Sequence, residues 1–268
     1  MNLNLEQVIQ ICNAKYMIGE NLVNQIDFKN IEIQHLLYDS RRLNFIEDAL
    51  FFAFKTTNND GHKYIKELYS KGIRVFICEN LQDLNQFPDA IFLLVKDSLE
   101  SLQKIAKYKR EHFHKEVIAI TGSNGKTIIK EWIVQLTQEN KKICYSPRSY
   151  NSQIGVALSL WQLNTNYDLG LFEAGISKPN EMTRLQEMIQ PTIGIFTNIG
   201  SAHQINFSSL EEKIEEKLKL FTSCHTLICP KDDVFLYNIV KQWCESREIE
   251  LISFKTEEII KDLNIEFK

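Results

Sequence analysis

The sequence lacks a long apolar run. Its longest, such as residues 49–54 and 90–95, fall far short of the ~20 residues that a membrane-spanning helix needs. It also lacks an excess of positive charge: Lys and Arg number 31 against 35 Asp and Glu, a formal charge of -4. No basic run is present to track a nucleic-acid backbone or an anionic lipid surface, which argues against both as partners. The N-terminus, MNLNLEQVIQIC, carries no cationic stretch followed by an apolar core and a small-residue cleavage site, so no secretory signal is read there and a cytoplasmic protein is expected. The six cysteines (Cys12, Cys78, Cys144, Cys224, Cys229, Cys244) form no CxxC pair and no Cys/His cluster at zinc spacing. They read as reduced, mostly buried thiols. Glycine is scarce, 10 in all, yet Gly122, Gly125, Gly155, Gly170, Gly175, Gly194 and Gly200 crowd one stretch of the chain. That skew marks where the backbone turns tightly or approaches a ligand closely.

What is present fits one large domain or two of ordinary size: 268 residues, 44% hydrophobic and 25% charged. The first part alternates strand-like runs (35–38, 50–54, 73–78, 91–95) with helical stretches at 64–71 and 99–113, which reads as a small α/β domain. The polar segment Arg110-Glu-His-Phe-His-Lys115 ends the last helix, so the boundary is expected near residue 113, giving domains 1–112 and 113–268. Beyond it, strand-like runs at 117–120, 143–145, 169–172, 193–197, 227–229 and 251–254 alternate with helical segments. Repeated βα units imply a doubly wound, mainly parallel sheet that binds ligands beyond the carboxyl ends of its strands. The chain stops soon after the last of these runs, so the second domain is expected to be incomplete at its C-terminus.

The most informative stretch is Val117-Ile-Ala-Ile-Thr-Gly-Ser-Asn-Gly-Lys-Thr127, an apolar strand that runs into a Gly-rich turn and then a helix. Ile128, Ile129, Trp132, Ile133 and Leu136 recur at helical spacing, so the helix is expected to begin near Lys126 and to turn these residues inward. Backbone N–H groups of Gly122, Ser123, Asn124, Gly125, Lys126 and Thr127 would cradle triphosphate oxygens. Lys126 would add a point charge, and Thr127 would offer its hydroxyl to Mg2+. The loop is a shortened variant, because Ile120 stands where the usual pattern has its first glycine.

Glu173 ends a strand-like run just before Gly175, which puts its carboxylate at the ligand end of the sheet, where Mg2+ bound to phosphates is a natural partner. His203 follows the next run across the Asn198-Ile-Gly200 turn, at the same edge. Lys217 sits in residues 208–221, an amphipathic segment whose buried stripe is expected to be Leu210, Ile214, Leu218 and Phe221. Composition alone makes Lys217 a solvated lysine.

Thr121-Gly-Ser-Asn-Gly-Lys-Thr127 resembles the ATP loop of the Mur ligases, the amide-forming enzymes of peptidoglycan synthesis. Tyr38-Asp-Ser-Arg41, Ala49-Leu-Phe-Phe-Ala53 and Asp60-Gly-His62 are similar to that family's N-terminal domain. Tyr150-Asn-Ser-Gln-Ile-Gly155, Glu173-Ala-Gly175 and Thr197-Asn-Ile-Gly-Ser-Ala-His203 are similar to its central domain. The resemblance covers residues 36–230 and is strongest to members that join D-Ala-D-Ala to UDP-MurNAc-tripeptide through an acyl phosphate. Residues 146–155 look like the version fused to an alanine racemase, which would add pyridoxal phosphate in a following domain. The resemblance implies that Ser40, Arg41, Asp60 and His62 hold the UDP end of the substrate, and that Asn151 lies near phosphate or peptide. It further implies that Thr127, Glu173, His203 and Lys217 serve Mg2+, Lys217 as a carbamate, with Lys213 and Lys219 as its rivals. Lys126, Glu173, His203 and Lys217 are then the catalytic set. It also implies a third, C-terminal domain that this sequence does not contain. Two rival readings are another ligase of the same mechanism, including one acting on folates, and a nucleotide-binding module without catalysis.

Overall fold

Short, almost wholly apolar segments become the central strands of two mainly parallel sheets. Residues 2–23, 26–41, 46–56, 59–80, 82–200, 206–255 and 257 are described in the structure, a computed structural model. The chain divides into two units, residues 1–108 and 109–268, and the division falls inside helix α3 (Ser98–Glu111), a few residues before the expected boundary.

In the first unit, α1 (Leu5–Cys12) starts at a capping box in which the Asn4 side chain accepts from Gln7 N–H while Gln7 reaches back to the Asn4 amide. Flanking it, β1 (Leu3–Asn4) pairs antiparallel with β3 (Glu32–Ile33). The main sheet has five strands in the order β2 (Lys15–Ile18), β7 (Ile91–Leu94), β6 (Val75–Cys78), β5 (Ala49–Phe52) and β4 (His35–Leu37). Only β2 runs antiparallel to its neighbour. Every residue of β5 and β6 is buried, as expected of parallel strands covered on both faces. Phe76 stacks on Phe92 at 5.2 Å and meets Phe51 edge-on at 6.3 Å, and α2 (Ile65–Ser70) adds Ile65 and Leu68 to this aromatic core.

The second unit is a six-stranded, wholly parallel sheet in the order β13 (Glu250–Phe254), β12 (Thr226–Pro230), β11 (Ile193–Phe196), β8 (Val117–Thr121), β10 (Leu169–Glu173), β9 (Ile143–Tyr145). The expected doubly wound α/β class is borne out. Five helices join the strands: α4 (Lys126–Thr137), α5 (Gln153–Trp161), α6 (Glu181–Ile189), α7 (Leu210–Leu218) and α8 (Val234–Glu245). From β8 the chain first winds outward to β9, returns through β10, and only then crosses to β11 on the other side. The carboxyl end of β8 is therefore the switch point where a doubly wound sheet opens a crevice, and Gly122 follows it directly.

Two expectations about side chains are corrected. Ile128, Trp132 and Leu136 do not face inward: they are 56%, 61% and 80% exposed. The buried stripe of α4 is Lys130 and Val134, with Ile129 and Ile133 packed at its side. Apolar spacing identified the helix but chose the wrong face, because Lys130 occupies a buried position that a lysine rarely takes. On α7, Lys213 and Lys217 are 2% and 3% exposed, so Lys217 is not solvated, and Ile214, Leu218 and Phe221 are buried as expected while Leu210 is only half-buried.

All six cysteines are free and buried, and burial pushes the thiols of Cys12, Cys78, Cys144, Cys224 and Cys229 up to about 12. Among the described residues, no helix is long and apolar enough to cross a membrane.

Candidate functional site

The phosphate-loop residues take the conformation that their sequence requires. Gly122 has φ +145°, and a Cβ there would meet Thr197 Oγ1 at 2.0 Å, so both the backbone conformation and the close approach demand glycine. Gly125, at φ +80°, is the N-cap of α4 and supplies no side-chain cap. The first-turn amides of α4 consequently have no partner from a capping side chain and lie at the positive end of the helix. Not every amide of the loop is free, however. Ser123 N–H donates to Asn198 O at 3.0 Å, and Asn124 N–H donates to Asn198 Oδ1 at 2.9 Å. Thr197 Oγ1 and Asn198 Nδ2 donate back to Asn124 O. The turn after β11 thus straps the first half of the loop, leaving the second half for a ligand.

The Lys126 ammonium folds back onto its own loop, donating to Gly122 O at 2.8 Å. Burial lowers its pKa, and the Glu173 charge offsets part of that effect. Thr127 Oγ1 donates to Glu173 Oε2 at 3.0 Å. Glu173 closes β10 with its side chain fully buried. Its other oxygen, Oε1, lies 3.1 Å from Lys130 Nζ without the alignment of a hydrogen bond, and among the described residues no other group donates to it. A buried carboxylate beside a threonine hydroxyl is a hard-oxygen donor set. It suits Mg2+ that also takes phosphate oxygens and water. Among the described residues no group of three or more His, Cys, Asp or Glu could hold a metal by itself. His203 lies outside the described residues.

Helix α7 supplies the opposite wall. Ser209 caps it by accepting from Glu212 N–H at 3.1 Å, while Glu212 Oε2 accepts from Ser208 N–H at 2.6 Å. Glu216, buried on the next turn, accepts from Met182 N–H at 3.1 Å and so fastens α7 to the start of α6. That anchoring leaves Lys213 and Lys217 facing the phosphate loop. Lys213 Nζ donates to Gly200 O, and Lys217 Nζ reaches Gly122 O at 3.4 Å. Burial, with the charges of Lys126 and Lys213 adding to it, pushes Lys217 down to about 7, whereas Lys219 pairs with Glu216 at 2.6 Å with its side chain 43% exposed. The geometry separates Lys217 from Lys219 and leaves Lys213 as a second buried cation.

A cavity of about 230 Å³ brings together Gly122, Ser123, Lys126, Asn151, Lys213 and Lys217. Asn151 is held there because its carbonyl accepts from Gly175 N–H at 2.9 Å. Thr127 and Glu173 stand beside this cavity rather than in its lining.

In the first unit, a cavity of about 580 Å³ is lined by Tyr38, Asp39, Ser40, Arg41, Asn59, Tyr64, Glu67 and Lys71. Asp39 holds Arg41 through both carboxylate oxygens, each at 2.9 Å, with the Arg41 side chain 86% exposed. Asp60 and His62 are not in this lining. His62 Nε2 accepts from Glu79 N–H at 2.9 Å, so its proton lies on Nδ1, which donates to Asp60 Oδ1 at 2.6 Å. These hydrogen bonds, from the amide and the ring of His62, hold the Asp60 carboxyl below its ordinary pKa. Both ring nitrogens are spent within the unit, which makes the pair a clamp on the segment beside the cavity.

The sequence reading did not single out Lys130 or Glu216, and it named Lys213 only as a rival of Lys217 and Asn198 only as part of a turn. Lys130 has one signal, its place three residues after Thr127 on the same helix face. The other three depend on contacts between distant segments.

Comparison with known proteins agrees along both units. The family model for the Mur ligase middle domain matches residues 120–268, and that for the Mur ligase family, catalytic domain, matches residues 32–110. The UDP-N-acetylmuramoyl-tripeptide--D-alanyl-D-alanine ligase of Borreliella burgdorferi is 32% identical over 81% of this chain and 48% of its own length. That of Rickettsia prowazekii is 35% identical over 70% of this chain and 40% of its own. The chain spans about half the length of these relatives. Among solved structures, MurF from Acinetobacter baumannii shares the fold with a TM-score of 0.81 at 24% identity, over 95% of this chain and 53% of that one. MurF from Thermotoga maritima in complex with ADP shares it with a TM-score of 0.71 at 24% identity, over 84% and 51%.

Proposed function

The chain belongs to the Mur ligase family, and from that membership we propose that it forms the substrate-holding and ATP-binding parts of a cytoplasmic, ATP-driven amide ligase. The relatives are named for joining D-alanyl-D-alanine to UDP-N-acetylmuramoyl-tripeptide, and we assign the same pair of substrates here. The observation that carries the reading is the convergence of Lys126, Lys213 and Lys217 on one cavity bordered by Asn151. A cavity with the cations Lys126 and Lys213 beside a lysine whose pKa is pushed down to about 7 suits a polyanion such as a triphosphate facing a carboxylate.

A carboxylate is a poor acyl donor at neutral pH. Its oxygen therefore attacks the γ-phosphorus, the bond to the bridging oxygen breaks, ADP leaves, and an acyl phosphate remains. The amine of D-Ala-D-Ala then attacks the acyl carbon, phosphate departs, and the amine gives up a proton. Gly125, Lys126 and Thr127 position the phosphates on a loop whose first half, from Gly122 to Asn124, is held by the turn after β11, with Lys126 turning from Gly122 O to a phosphoryl oxygen. Mg2+, when bound, would neutralise charge on the β- and γ-phosphates, held by Thr127 and Glu173, with His203 assigned to the same task. Lys217, buried among cations, is assigned to add CO2 through its neutral amine and lose a proton, which replaces a cation with a carboxylate. In the first unit, Ser40 and Arg41 are assigned to the UDP moiety, with Asp60 and His62 shaping the segment beside them. A fused racemase would carry its own pyridoxal phosphate on residues outside this sequence.

Hydrogen exchange tests the division of labour. ATP with Mg2+ should protect residues 122–127 and 173–177, and UDP-MurNAc-tripeptide should protect 38–41 and 59–64. Protection of the opposite segments, or of neither, would sink the reading.

A further inference from the structure

Helix α4 carries two polar side chains on its inner face, three residues apart, and both meet the Glu173 carboxylate. Thr127 takes one oxygen at 3.0 Å and Lys130 stands 3.1 Å from the other. Lys130 is fully buried. Its ammonium also donates to Ser146 O at 2.7 Å and to Arg148 O, and it lies 3.0 Å from Glu131 Oε1. The carbonyls it holds belong to the segment that follows β9 and leads to Asn151. A buried ammonium costs several kcal/mol to desolvate, and a leucine would fill the same space on α4 without that cost. What lysine alone supplies is a fixed positive charge that grips one carboxylate oxygen and the neighbouring backbone together.

We propose that Lys130 is the positioning residue of the metal site: it holds one Glu173 oxygen so that the other stays aimed at Thr127, and it pins the Ser146–Arg148 backbone so that Asn151 keeps its place on the cavity wall. The inference rests on the proposed role of Thr127 and Glu173 toward Mg2+. Groups behind a metal ligand fix its orientation, and their loss typically weakens metal binding ~10–100-fold. The Lys130 ammonium does not touch residues 122–127, whose amides and Lys126 meet the nucleotide, so its loss should weaken metal binding far more than metal-free nucleotide binding.

The test is titration of Mn2+ into the chain in the presence of a non-hydrolysable ATP analogue, alongside binding of the same analogue in EDTA. Lys130→Met should weaken Mn2+ at least ~10-fold and leave metal-free analogue affinity within about twofold. In a Glu173→Gln background, Lys130→Met should add no further loss of Mn2+ affinity, because the carboxylate it positions has gone. Lys130→Gln serves if the methionine variant does not fold. A folded variant with parental Mn2+ affinity, or one that loses metal-free analogue binding equally, would overturn the proposal. Failure of both variants to fold would overturn it too, by making Lys130 purely structural. A parent chain that shows no analogue-dependent Mn2+ binding would instead overturn the ATP-Mg2+ reading itself, and this inference with it.

Discussion

In residues 1–108 charges meet in water: Arg74 and Asp89 stand 2.7 Å apart with side chains 41% and 40% exposed, and Lys71 and Glu67 are 43% and 52% exposed. In residues 109–268 Lys130 and Glu173 meet at 3.1 Å with both side chains fully buried. The contrast extends further, since among the described residues the buried charged ones, Lys109, Arg110, Lys130, Glu173, Lys213, Glu216 and Lys217, all belong to the second unit. Two of these close helix ends: Arg110 donates to Ile189 O and Gln190 O at the end of α6, and Glu216 accepts at its start. Lys130 and Lys213 instead donate to carbonyls in loops, those of Ser146, Arg148 and Gly200. Stability alone disfavours them, because desolvating an ion costs several kcal/mol that its partner only partly returns. The first unit stabilises itself with stacked phenylalanines and keeps its candidate ligand groups, Ser40 and Arg41, at the rim of an open cavity. The second holds its cations in place before any anion arrives, which is what electrostatic preorganisation for phosphoryl transfer requires.

The largest effect that would break this comparison concerns Glu173. Glu173→Gln leaves the buried Lys130 ammonium without its buried carboxylate, with only the half-exposed Glu131 beside it, and should lower stability by roughly 3 kcal/mol, read as the shift in urea unfolding. Next comes Lys217. Its pKa in the fold, about 7, lies below the ordinary 10.5, so between those values the unfolded chain binds the extra proton and stability rises with pH. Below pH 7 the full penalty applies, and the slope within the window is at most about 1.4 kcal/mol per pH unit. Lys217→Met should flatten that slope and stabilise the chain most at pH 7 and below. Equal slopes in parent and variant would show that Lys217 is not held neutral. The smallest effect belongs to the first unit, where Asp89→Asn should cost less than about 1 kcal/mol. A cost there as large as that of Glu173→Gln would erase the distinction between the units.

How much of this could be read from the sequence follows the same division. The strands at 117–121, 143–145, 169–173 and 226–230 were legible because central parallel strands are apolar without interruption. The first 34 residues were not: β1 and β3 have two residues each, too short for any periodicity, and their pairing joins distant segments. The phosphate loop was legible as a contiguous motif, down to the glycine that Thr197 leaves no room to replace. The face of α4 was misread because an inward lysine and an outward tryptophan both invert the rule that normally orients a helix. Lys213 and Glu216 were hidden for a related reason. Their burial is set by Gly200 O and Met182 N–H, partners that α7 meets only after the chain has folded. His62 likewise looked like a ligand group until Glu79 N–H and Asp60 accounted for both of its nitrogens.

The central claim, that the second unit buries its cations to receive a nucleotide's phosphates, is tested most directly by calorimetric titration of ATP-Mg2+ into this chain and into Lys126→Ala. The account predicts measurable binding to the parent and none to the variant, with both folded to the same degree by circular dichroism. Equal binding by the two would mean that the phosphates do not meet residues 122–127, and would contradict it.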